Sequence, residues 1–121
     1  MTAGAEIIAE ARLWLGTPYL HQASVRGAGT DCLGLLRGVW RAILGHEPEM
    51  VPVYTDDWAE PSKDEVLLVA AQRWLREKPG QVPAVGDVLL FRMREGSIAK
   101  HLGFQSETGP HPRFIHAYTG H

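Results

Sequence analysis

The sequence predicts an α+β domain in which helices pack on an antiparallel sheet. Apolar residues in the first half recur at helical spacing in three separate segments. The second half instead holds three short strand-like runs divided by turn-rich connections, and helices followed by such a meander belong to the α+β class. A length of 121 residues, with 45% hydrophobic and 21% charged side chains, suits one domain with a modest core, so residues 1–121 are read as a single domain.

The elements follow in order. Ala3 to Leu15 places Ile7, Ile8, Ala11, Trp14 and Leu15 on one broad face, and Gly16 then Pro18 stop the helix. Residues 16–30 read as a loop because they hold four glycines or prolines among polar residues. Thr30 or Asp31 caps a second helix whose apolar face is Leu33, Leu36, Val39, Trp40 and Ile43, closed by Gly45. The stretch HEPEMVPVYTDDWAEP is an irregular connection. Ser62 and Glu65 form a capping box for a third helix carrying Val66, Leu67, Val69, Ala70, Trp74 and Leu75. Strands are expected over Asp87 to Met93, Lys100 to Gln105 and Arg113 to Thr119, the last two joined as a hairpin through SETGPHP.

Composition narrows the function. A formal net charge of −2 argues against a nucleic-acid binder, which would carry a basic stripe. No apolar run approaches the length of a membrane span. The opening MTAGAEIIAE lacks the basic and apolar regions of a secretion signal. A single cysteine cannot form an internal disulfide, and CxxC, HExxH and internal repeats are all missing.

That cysteine, Cys32, lies in GAGTDCLGLL at the expected first turn of a helix. There the unpaired amides and the helix dipole favour a thiolate. Gly27 and Gly29 allow close approach of a ligand. A thiol needs a base, usually histidine, and a third polar group to orient the imidazole. Alternation puts His101 and Gly103 on one face of their strand, and Phe114, His116 and Tyr118 on one face of theirs. A hairpin can therefore set His101 beside His116, with the Cys32 helix packed over His101. The bland alternatives are a small buried cysteine, a hydrogen-bonded core His116, a packing Tyr19 and an Asp31 that only caps. A zinc site of Cys32, His101 and His116 is chemically conceivable. His21, His46, His111 and His121 show no partner pattern and read as surface or loop residues.

GTPY at 16–19, TDCLGL at 30–35, VGDVLLF at 85–91, KHLGF at 100–104 and FIHAY at 114–118 resemble, in order and spacing, the NlpC-type family of papain-like cysteine peptidases, which cut bacterial cell-wall peptides. The longer stretch GTPYLHQASVRGAGTDCLGLLRGVWR is similar to the branch carried by phage tails and gene-transfer-agent particles. The resemblance implies a papain-like fold, Cys32 as nucleophile, His101 as general base and His116 as the orienting third residue. It implies further that Tyr19 faces the active site and assists the oxyanion, that Asp31 lines the substrate cleft, and that neither metal nor cofactor is needed. Two departures stand out. Leu33 follows the nucleophile where many members have serine. The sequence also ends at His121, where family domains continue with further strands, so C-terminal strands are expected to be missing or supplied by a partner.

The expected function is a cysteine endopeptidase acting on the peptidoglycan stem peptide, at the bond between D-γ-glutamate and the diamino acid. An amidase at the sugar–peptide junction would use the same residues, and an acyltransferase or thioesterase is a weaker reading. The expected setting is a protein made in the cytoplasm without a signal peptide and mounted on a phage-like tail tip. It would bind tail-hub or tail-fibre proteins and act in the periplasm or cell wall. The alternative is a catalytically silent hub subunit that keeps the peptidase fold.

Overall fold

A computed structural model describes residues 3–48, 65–78, 80 and 82–118. Among the described residues, three helices and two antiparallel sheets make a small α+β protein. In chain order the elements are α1 (Ala3–Arg12), β1 (Ser24–Val25), β2 (Gly29–Thr30), α2 (Cys32–Leu44), α3 (Val66–Trp74), β3 (Val88–Arg92), β4 (Ala99–Glu107) and β5 (Arg113–Ile115).

Helix α1 ends earlier than expected. After Arg12 the chain tightens, with Leu13, Trp14 and Leu15 amides donating to the carbonyls three residues back at 3.0–3.2 Å. The tightening swings Trp14 inward and leaves Leu15 exposed, so Leu15 does not join the face predicted for it. The expected loop contains structure of its own. Ser24 pairs with Thr30 and Val25 with Gly29. The turn between them closes through Ala28 N–H to the Val25 carbonyl at 3.0 Å, with Gly27 at φ +82 in the position that favours glycine.

Helix α2 is fixed at both ends. Asp31 is its N-cap, accepting from the Gly34 amide, and Gly45 is its C-cap, donating to the Arg41 carbonyl. Its buried face is Cys32, Gly34, Leu35, Gly38 and Val39, rotated from the expected stripe of Leu33, Leu36, Trp40 and Ile43. Glycine explains the rotation. A Cβ at Gly38 would overlap the Trp14 ring, and one at Gly34 would overlap the Ala23 carbonyl. Both neighbours approach because those positions carry no side chain. Ser24 Oγ donates to the Gly34 carbonyl at 2.6 Å, and Arg41 donates to the Ser24 carbonyl at 2.8 Å, tying β1 to α2.

Helix α3 buries only Leu67 among its residues; Val66, Val69 and Trp74 are exposed, against the broader face predicted. The Glu65 carboxylate reaches Arg92 and the Ala99 amide. Ser62, like Pro52, Asp56, Asp57 and His121, lies outside the described residues.

The larger sheet runs β3-β4-β5 with antiparallel neighbours, Phe91 opposite His101 and Phe104 opposite Ile115. Leu102 and Phe104 share the face that the helices cover. One cluster joins Ile8, Ala11, Trp14, Leu35, Val39, Phe104 and Ile115. A second joins Cys32, Leu67, Ile98 and Leu102. The strand expected to reach Thr119 ends at Ile115; residues 116–118 follow without strand pairing, and Thr119 is not described.

Candidate functional site

The face of β4 away from the helices carries His101, Gly103 and Gln105. Gln105 lies opposite Phe114, and His116 Cβ comes within 3.1 Å of where a Cβ on Gly103 would stand. Glycine at 103 thus admits the chain that follows β5. The result is the histidine pair: His101 Nε2 lies 2.8 Å from His116 Nδ1, one imidazole donating and the other accepting according to tautomer. Tyr118 sits edge-on to His101 at 5.1 Å and roughly parallel to His116 at 5.9 Å. Phe91 packs beside His101 and Phe114 beside His116, at 5.8 and 4.7 Å between ring centres. His101 is 6% exposed, whereas Tyr118 opens to solvent. Burial, and then the neighbouring charge of His116, bring the His101 pKa down to about 4, so the ring is neutral at pH 7.

Cys32 reaches the same strand from the helix side. Gln105 exchanges backbone hydrogen bonds with Gly86 and Asp87, on the β3 side. The Leu102 amide, in the peptide that follows His101, is among the groups that lower the thiol's pKa, with the amides of Leu33 and Cys32 itself. Cys32 and Leu102 also belong to one buried cluster, next to His101 along β4.

The thiol is not activated by its helix terminus. Burial is the largest influence and pushes the Cys32 pKa up to about 11; the Asp31 carboxylate raises it further, against the lowering effect of the three amides. Neither imidazole is among the groups that set it. The expectation of a thiolate at the helix N-terminus is corrected on this point: at 7% exposure, desolvation outweighs the dipole.

Asp31 is committed to the chain's own amides. Oδ1 accepts from Gly34 N–H and Oδ2 from Gln22 N–H, each at 2.7 Å, and His21 Nδ1 stands 3.8 Å from Oδ2. Gln22 takes a φ of +66, the left-handed region that costs a side-chain-bearing residue, and so aims its amide at the carboxylate. Tyr19 is half-buried on a stretch bridged to Thr30, with Leu20 N–H and Thr30 N–H bonds of 3.0 Å on either side. It is thereby held at the entrance to α2.

Residues missed from sequence are Phe91, which with Phe114 frames the imidazoles, and Leu67, which shares the thiol's cluster. Phe91 was legible, since alternation sets it opposite in facing to Leu90; Phe114 stands on the face expected, in step with His116. Among the described residues no group of three or more His, Cys, Asp or Glu is placed to hold a metal ion, and no helix is long and apolar enough to cross a membrane. Comparison with protein-family models, with curated proteins and with solved structures finds no match.

Proposed function

We propose that the protein is a papain-like cysteine peptidase of the NlpC type, hydrolysing peptidoglycan stem peptides from a phage-like tail. The observation that supports the reading is the hydrogen-bonded His101–His116 pair, with His101 next along β4 to Leu102, which shares a buried cluster with Cys32. The reading gives each ring nitrogen a role. His101 Nε2 is engaged by His116, which leaves Nδ1 to take the thiol proton. Nε2–H then donates to His116 Nδ1, and His116 orients the ring. The thiolate attacks the scissile carbonyl, and the oxyanion meets the Cys32 amide with help from Tyr19. His101 returns the proton to the leaving amine, and water resolves the thioester. The bond between D-γ-glutamate and the diamino acid, and the tail location with hub or fibre partners, rest on the family resemblance alone.

The thiol's burial favours a second reading, a catalytically silent tail-hub subunit. Incubation with a purified stem peptide separates the two. The peptidase releases a new amine terminus, and Cys32→Ala stops it while leaving the circular dichroism spectrum unchanged. No cleavage by the native protein, assembled with its particle, would leave the silent subunit. Absence of the protein from purified particles would remove the tail location.

A further inference from the structure

Glycine inside a strand weakens it and marks a close approach of other chain. Gly103 is the one glycine within β4. The pairing of Phe104 with Ile115, carried one step on, sets His116 opposite Gly103, and His101 lies two residues along β4 on the same face. A Cβ at Gly103 would stand 2.8 Å from the Ile115 carbonyl oxygen, 3.1 Å from His116 Cβ and 3.2 Å from Phe114 Cδ2. The oxygen belongs to the last residue of β5, so it moves only if the strand moves. The space that glycine leaves is what lets His116 reach diagonally to His101. Phe114 borders the same space. Its ring centre lies 4.7 Å from that of His116 and 5.0 Å from that of Phe91, which packs on His101 at 5.8 Å. His116 is exposed, so enclosure in a core does not hold its ring.

We infer that Gly103 and Phe114 are positioning residues that seat His116 against His101. Gly103 sets how closely the imidazole approaches β4, and the Phe114 ring limits how it turns. A side chain at 103 would lift His116 away from His101 Nε2; loss of the Phe114 ring would let the imidazole rotate. The seat rests on the reading of His116 as the residue that orients the base. It makes position 103 a point where bulk alone would turn a working histidine pair into a silent one.

The test is a pH titration of the histidine side-chain nitrogen resonances by NMR, in the full chain. The groups facing the His101 ring are Phe91 from β3, and His116 and Tyr118 from the chain after β5. Burial and the charge of His116 hold its midpoint near 4, so Gly103→Ala, which disturbs both, should move the midpoint up toward 6.5. Phe114→Ala should move it less, and Phe114→Leu should return it near the native value. Gly38→Ala, which crowds Trp14 elsewhere, should leave it unchanged. With a stem peptide, Gly103→Ala should lower kcat by about tenfold or more at a near-native KM. If Gly103→Ala does not fold, Phe114→Ala carries the test. A native His101 midpoint in both variants would overturn the seat, as would an equal rise in Gly38→Ala, since general loosening would then be the cause. A raised KM at native kcat would make these residues substrate contacts and not a seat. A moved midpoint with no hydrolysis by the native protein would remove the peptidase and leave the seat standing. Hydrolysis with unmoved midpoints would do the reverse.

Discussion

On the helix side of β4, Cys32 shares a buried cluster with Leu67, Ile98 and Leu102. On the other side, one residue away, His101 is buried by Phe91, His116 and Tyr118, and that group opens to solvent through exposed His116 and Tyr118. The thiol thus sits in the core-building half of the molecule and the imidazoles in a half built by strand alternation. Burial acts on both but in opposite directions, raising the acid and lowering the base, and so keeps each neutral. Proximity along a strand does not by itself make a thiolate–imidazolium pair. Activation requires changing the surroundings of the thiol.

The largest expected effect breaks the histidine side. His101→Ala should lower stem-peptide hydrolysis by about a thousandfold or more, and His116→Ala by less, because it removes orientation and not the base. Equal losses would mean that the pair titrates as one unit. The next effect breaks the cysteine side through packing. Gly38→Ala puts a methyl group into the Trp14 ring and should cost about 1–3 kcal/mol in urea unfolding, because the ring is enclosed and cannot retreat freely. An unchanged urea midpoint would contradict the described approach of α1 to α2.

Asp31 sharpens the comparison further. Asp31→Ala removes the acceptor for two amides and should cost about 1–2 kcal/mol. Asp31→Asn keeps an oxygen for the Gly34 amide but removes the charge that helps to raise the thiol, so the Cys32 pKa should fall below its native value, read from thiolate ultraviolet absorbance. The remaining effects lie in the pH dependence of stability. An unfolded histidine takes up its proton near 6.5 and folded His101 only near 4, so the unfolded state binds more protons between those values. Stability should therefore fall as pH drops through that window and level off below it. At the alkaline end an unfolded thiol ionises near 9.0 and folded Cys32 near 11, so stability should fall as pH rises between them. His101→Gln should flatten the acid limb of urea midpoint against pH, and Cys32→Ala the alkaline limb.

Much of the histidine half was legible in the sequence, and little of the cysteine half. Alternation in KHLGF and RFIHAYT is a local property, and it put His101 beside His116 without tertiary knowledge. Asp31 was legible as one of two cap candidates for the same reason. Helix periodicity, in contrast, marked Val66, Val69 and Trp74 as equals of Leu67, yet only Leu67 is buried, in a helix that packs against β4. The buried stripe of α2 was misplaced because Trp14 and Ala23 come in over glycines, and glycine has no hydropathy signal. The β1–β2 ribbon is two residues per strand, too short for any alternation to show. The thiol's raised pKa follows from a three-element enclosure, and a helix terminus read in isolation points the other way.

The most direct test of the central claim is intact mass spectrometry of the protein during incubation with a stem peptide, in the native and Cys32→Ala forms. The account predicts a transient acyl adduct confined to Cys32 and missing from Cys32→Ala, with the amine product released in step. Unmodified Cys32 and intact peptide with the native protein, its fold verified, would contradict it.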